Sequence, residues 1–245
     1  MKLFVDIGNS AIKWASEDEL KTGVSHRVNS RELPDAIETV WRGMPKPSEV
    51  HLASVRHQKI TERLTQWVQQ HWSLDARVSK TQPQEFGVVN GYEMPTQLGI
   101  DRWLALLAAR NLSSLPVVVV DCGSATTIDG LDSKGHHMGG VILPGLKLFA
   151  KCLHQSTDLS SEFLEGEVDY FATDTATGIR SGAMLTHTCM VEKALQQLEA
   201  RGGGNANCFL TGGDARLLTK HLRISHQLMP DLVLQGLALQ SNIAN

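Results

Sequence analysis

The sequence contains no Cys-x-x-Cys pair, no block of basic residues, no phosphate-binding Gly-x-x-x-x-Gly-Lys-Ser/Thr loop and no apolar run near 18 residues. Each absence excludes a class of function. The four cysteines, Cys122, Cys152, Cys189 and Cys208, have no zinc-site spacing and read as reduced thiols of a cytoplasmic protein. Within that set, Cys122 reads as a small apolar residue behind a loop. A net charge of −3 lacks the concentrated positive footprint that phosphate backbones require, so no nucleic-acid partner is expected. A bilayer span needs roughly 20 apolar residues, so no membrane partner is expected either. The N-terminus lacks the basic-then-apolar layout of an export signal. Ten histidines contain no HxxxH or HExxH pair, which argues against a histidine metal centre. The missing Walker loop rules out a P-loop nucleotide site. Trp14, Trp41, Trp67, Trp72 and Trp103 read as core or interface residues rather than ligand platforms.

What is present is a repeated pattern. The chain has 245 residues, 42% hydrophobic and 20% charged, enough for one large domain or two small ones with real cores. It opens MKLFVDIGNSAIKWA, an apolar run delivering Asp6 into the small-residue turn Gly8-Asn9-Ser10. The same arrangement returns as PVVVVDCGSATTIDG, with Asp121 in the place of Asp6. A duplicated α/β unit explains two such strand–turn elements half a chain apart.

The patterning predicts strands over Lys2–Asp6, Ala11–Ser16, Val24–Val28 and Glu49–Ser54, and helices over Leu33–Arg42 and Lys59–His71. Residues 72–98 read as a strand followed by a long functional loop. Arg102–Asn111 is a helix. From Pro116 a second cycle begins: strands over Val117–Asp121, Thr126–Leu131 and His137–Leu143, then a helix over Leu146–His154. A long helix over Ser181–Leu198, a turn at Gly202-Gly203-Gly204, a strand over Asn207–Thr211 and a helix over Asp231–Ile243 complete it. The expected halves are 1–115 and 116–245.

Strand-end turns rich in glycine and hydroxyl side chains let backbone N–H groups approach a phosphate. An aspartate repels phosphate directly, so it makes chemical sense with a cation between the two. A third element, Phe209–Ala215 (FLTGGDA), ends a strand in Gly212-Gly213 and would admit a flat ring such as adenine against backbone.

With these pieces in view the chain resembles the type III pantothenate kinases, of the acetate-kinase, sugar-kinase, Hsp70 and actin superfamily. The resemblance runs through DIGNS at 6–10, GYEMPTQLGIDRW at 91–103, DCGSATTID at 121–129, GGVILPGL at 139–146, DTATGIRSG at 174–182, TGGDA at 211–215 and PDLVLQGL at 230–237. It implies an α/β fold of duplicated RNase H-like (actin-like ATPase) domains, each a mixed five-stranded sheet with flanking helices. It implies transfer of the γ-phosphoryl group of ATP to the primary hydroxyl of pantothenate, the first step of coenzyme A synthesis. A divalent cation such as Mg²⁺ with the ATP, a monovalent cation (K⁺ or NH₄⁺) and a homodimer are implied as well.

By position, Asp6, Ile7, Gly8, Asn9, Ser10, Ala11, Ile12 and Lys13 resemble the first phosphate loop, with Asp6 serving the divalent metal directly or through water. Ser124 stands where the second loop meets ATP, and Asp121 where the monovalent cation is held. Tyr92, Gly99, Ile100, Asp101 and Arg102 match the pantothenate site, with Asp101 as proton acceptor. Thr175 matches a threonine that contacts substrate. On the residues alone, Asp101 also suits a helix start, where a carboxylate favours the dipole, and Lys13 also suits a solvated strand position. The helix over 181–198 is expected at the dimer interface, with Thr175 reaching the partner's pantothenate.

Three positions depart from the commoner pattern: Ser10 and Ser124 replace threonine, and Asp174 replaces asparagine. The first two keep the hydroxyl, whereas the third exchanges an amide for a charge. Three rivals stand beside this reading, the weakest an ATPase or polyphosphate hydrolase. A kinase for another small substrate is disfavoured by the GIDR block and the Tyr92 loop. A transcriptional accessory protein is disfavoured by the set Asp6, Asp101 and Asp121, since a pure binder has no use for Asp101.

Overall fold

The computed structural model describes residues 1–29, 35–55, 58–153, 161–202 and 204–242. Two strands, β1 (Lys2–Ile7) and β8 (Val117–Cys122), organise it. Each is apolar almost throughout because it lies in mid-sheet, where both faces are covered. Each carries its aspartate, half-buried, one residue before its end.

In the first sheet β1 runs antiparallel to β2 (Ala11–Ser16) and parallel to β4 (Glu49–Ser54). Outside these lie β3 (His26–Asn29) and β5 (Arg77–Val78), giving the order β3-β2-β1-β4-β5. In the second, β8 runs antiparallel to β9 (Ala125–Leu131) and parallel to β11 (Asn207–Thr211). With β10 (His137–Pro144) and β12 (Gln227–Leu228) the order is β10-β9-β8-β11-β12. The two five-stranded mixed sheets thus share one connection pattern, the structural form of the repeat seen at Asp6 and Asp121. Strands β6 (Gln84–Glu85) and β7 (Val88–Val89) pair as a further two-stranded sheet.

The helices are α1 (Glu17–Lys21), α2 (Asp35–Arg42), α3 (Gln58–Trp72), α4 (Ile100–Leu112), α5 (Leu146–Leu153), α6 (Thr175–Gly202), α7 (Ala215–Thr219) and α8 (Leu232–Ser241). Two compact units result. One joins Met1–Glu85, Tyr92–Ala108 and Asp231–Asn245, and the other joins Phe86–Gly91 and Ala109–Pro230. In the first, α8 packs on β1 and β4; it is apolar around most of its circumference, as a buried helix must be. The core of that unit sets Leu3, Val5 and Ile7 of β1 against an aromatic cluster of Trp14, Trp41, Trp67 and Trp72. The second core gathers Val118 and Val120 with Met184, Val191 and Leu195 of α6.

Most predicted elements are present, with boundaries moved by a residue or two. Helix α1 escaped the pattern because it is one turn long, although its capping box is complete. The Ser16 hydroxyl accepts the Glu19 N–H at 3.3 Å, and the Glu19 carboxylate accepts the Ser16 N–H at 2.8 Å. Helix α6 begins six residues before the expected Ser181. Leu33, Gly203, His154 and Ile243 of the expected elements lie outside the described residues.

Candidate active site

In the first unit the turn after β1 is closed by the Gly8 N–H donating to the Ala11 carbonyl at 3.0 Å. Asn9 and Ser10 stand exposed at its tip. Asp6 lies opposite Lys13 in the antiparallel register, so the two side chains share a face of the sheet. The Lys13 ammonium reaches Asp231, just before α8, at 3.4 Å. Asp231 is only 7% exposed at its side chain, and a carboxylate so placed is strongly destabilising without a partner. Lys13 is therefore more than a solvated strand residue. Sequence reasoning overlooked Asp231; its one local signal is a Pro-Asp step ahead of an apolar helix.

The loop of residues 91–99 leads into α4. Asp101 sits in the first turn of that helix, one residue inside a start the sequence placed at Arg102. Its Oδ1 accepts the backbone N–H of Arg102 at 2.8 Å. The Arg102 guanidinium, buried, donates to the Tyr92 hydroxyl at 2.7 Å and lies 5.4 Å from the centre of the Tyr92 ring. Tyr92, Asp101 and Arg102 are thus brought together, with Gly99 close enough to Asp101 that a Cβ there would crowd Oδ1. Ile100 is buried and serves the helix start.

In the second unit the turn after β8 is closed in the same way, Gly123 N–H donating to the Ala125 carbonyl at 3.0 Å. Ser124 is exposed, as Ser10 is in the first turn. Asp121 is flanked by Thr127 on β9 and Thr211 on β11. Gly212, at φ +91°, packs so closely that a Cβ would overlap both the Asp121 carboxylate and the Cys122 carbonyl. The fold itself requires this glycine, while Gly213 is exposed. Burial, reinforced by the charges of Asp121 and Asp214, pushes the Cys122 thiol well up. It stays a protonated, inert packing residue.

Thr175 is exposed at the first position of α6. Asp174 caps that helix: its Oδ1 accepts the Thr177 N–H at 2.9 Å, and this bond holds its carboxyl below the usual range. Aspartate and asparagine are equivalent N-caps, so the departure at 174 has a structural role that either residue fills.

Asp6 and Asp121 each offer a hard carboxylate oxygen at a strand end. Magnesium is commonly held by one or two carboxylates together with substrate phosphates rather than by an all-protein cage.

Residues 2–197 match the family described as type III pantothenate kinase. A type III pantothenate kinase from Nitrosococcus oceani is 34% identical, across 97% of this chain and 92% of its own. Among solved structures, that of a Baf family transcriptional activator from Campylobacter jejuni aligns with a TM-score of 0.64 at 21% identity, covering 99% of this chain and all of that one. The acetate kinase of Porphyromonas gingivalis aligns at 0.53 and 9% identity, covering 100% and 99%. At these identities the two structures speak to fold alone: two five-stranded mixed sheets with flanking helices.

Proposed function

The chain belongs to the type III pantothenate kinases, and from that premise we propose that it transfers the γ-phosphoryl group of ATP to the primary hydroxyl of pantothenate. The observation that carries this reading is the Tyr92–Arg102 pair beside Asp101 at the head of α4. Phosphoryl transfer needs alignment and charge neutralisation more than covalent help. Tyr92, Gly99, Ile100 and Arg102 bind pantothenate, with the Arg102 guanidinium held against Tyr92 and its charge suited to an acidic substrate. Asp101 accepts the hydroxyl proton late, and orients the alcohol before that. The turn Asp6–Lys13 and Ser124 present N–H and hydroxyl donors to the polyphosphate. Lys13, held at Asp231, adds a point of positive charge for the polyphosphate.

Asp6 would hold the divalent cation that arrives with ATP, and Asp121 the monovalent one. Such cations neutralise charge on the phosphoryl oxygens. Asp6→Asn is expected to raise the magnesium concentration needed for half-maximal activity several-fold, read by titrating Mg²⁺ at fixed ATP. An unchanged titration would remove Asp6 from this role.

The protein works in the cytoplasm as a homodimer. Among the described residues no helix is long and apolar enough to cross a membrane. Tyr170 and Phe171, 64% and 89% exposed just ahead of α6, form an apolar surface of the kind that pairs subunits, and Thr175 lies four residues on. Sedimentation should give a dimer at micromolar concentration; a fully active monomer would contradict the assignment. The function itself is tested by coupled measurement of ADP with and without pantothenate and potassium. ADP release indifferent to pantothenate would make the protein an ATPase instead.

A further inference from the structure

The hairpin of β9 and β10 holds a histidine–carboxylate pair that no step above uses. Asp129 and His137 are 2% and 3% exposed, and His137 Nε2 donates to Asp129 Oδ1 at 2.8 Å. Burying such a pair is expensive, and apolar residues of similar volume often give equal or better stability. Stability is therefore a weak reason for the pair, and its position suggests another.

His137 pairs with Leu131, yet Gly140, three residues on, pairs with Asp129, only two back. Strand β10 thus carries one extra residue, a β-bulge, which re-aims the chain around it. The Asp129–His137 bond spans this bulge from one strand to the other. On its far side the His137 carbonyl lies against Gly91, so closely that a Cβ on Gly91 would overlap the carbonyl oxygen. The same segment is tied a second time. The Val89 N–H donates to the Gly135 carbonyl at 2.8 Å, and Val89 bridges to His136 in parallel. Between these ties Val88 and Asn90 are buried. The residue after Gly91 is Tyr92.

We propose that Asp129 and His137 are positioning residues for pantothenate: their bond fixes the bulge whose His137 carbonyl seats Gly91, and so sets where the Tyr92 loop begins. This rests on the pantothenate reading of that loop. Misplacing a substrate-holding group by about 1 Å can cost two orders of magnitude, so a loosened bulge acts on the substrate without touching it.

The test is steady-state kinetics of Asp129→Asn, His137→Gln and Gly91→Ala, with Tyr92→Phe run alongside and folding followed by thermal melting. Expected is a rise of about tenfold or more in KM for pantothenate, with KM for ATP unchanged. A purely structural role would lower the melting temperature or the active fraction and leave both KM values alone. If folded variants keep the parental pantothenate KM while Tyr92→Phe raises it, the proposal is overturned and the loop reading stands. If Tyr92→Phe itself leaves that KM unchanged, the loop reading falls and this proposal with it. Gly91→Ala leaves the Asp129–His137 pair itself intact and presses on the His137 carbonyl, so it carries the test should the buried substitutions prevent folding.

Discussion

Asp101→Asn is expected to fold as the parent does and to lose about two orders of magnitude or more in kcat, the usual contribution of a positioned general base. The two halves of this expectation rest on different atoms. Oδ1 of Asp101 already accepts the Arg102 N–H at 2.8 Å, and an asparagine oxygen accepts the same bond, so entry into α4 survives. The lost charge at the helix start costs only about 0.3–1 kcal/mol. What asparagine cannot do is take a proton. KM for pantothenate should move little, since Tyr92 and Arg102 remain paired. Melting curves and initial rates decide it, and near-parental turnover would assign the proton to another group.

The second large effect is expected at Asp121. Replacing it with alanine should abolish activation by potassium while leaving the potassium-free rate close to that of the parent. A unit charge about 4 Å from a cation, at an effective dielectric near 20, contributes about 4 kcal/mol. That corresponds to about a thousandfold in cation affinity, enough to empty the site at ordinary concentrations. The carboxylate has little freedom to be replaced by a neighbour, because Gly212 closes one side of it. Gly212→Ala should therefore give a partial version of the same defect by displacing the carboxylate. Activity titrated with KCl distinguishes the outcomes, and activation that persists in Asp121→Ala would point to a different ligand.

Much of this architecture is legible in the chain because it is local. The runs ending at Asp6 and Asp121 are apolar on both faces and stop at small residues, so strand, turn and duplication all appear in a few letters. The head of α4 is similarly visible, since RWLALLAAR has helical spacing and an acidic residue before it. Where reading failed, the cause is distance or brevity. β6, β7 and β12 have two residues each, too few for any period to register. The early start of α6 was hidden by Thr175, Thr177 and Gly178, poor helix formers, although Asp174 is a serviceable cap. The Lys13–Asp231 contact spans 218 positions, and nothing near either residue announces it. The Asp129–His137 pair depends on a bulge, and a bulge leaves no trace in strand alternation.

All five tryptophans fall in the first unit: Trp14, Trp41, Trp67 and Trp72 in its aromatic cluster, and Trp103 in α4. The second unit has one tyrosine, Tyr170, and no indole. Intrinsic emission excited at the red edge therefore watches one half of the molecule and is blind to the other. A denaturation curve followed by that light, laid over one followed by far-ultraviolet circular dichroism, separates the melting of the two halves with no label added.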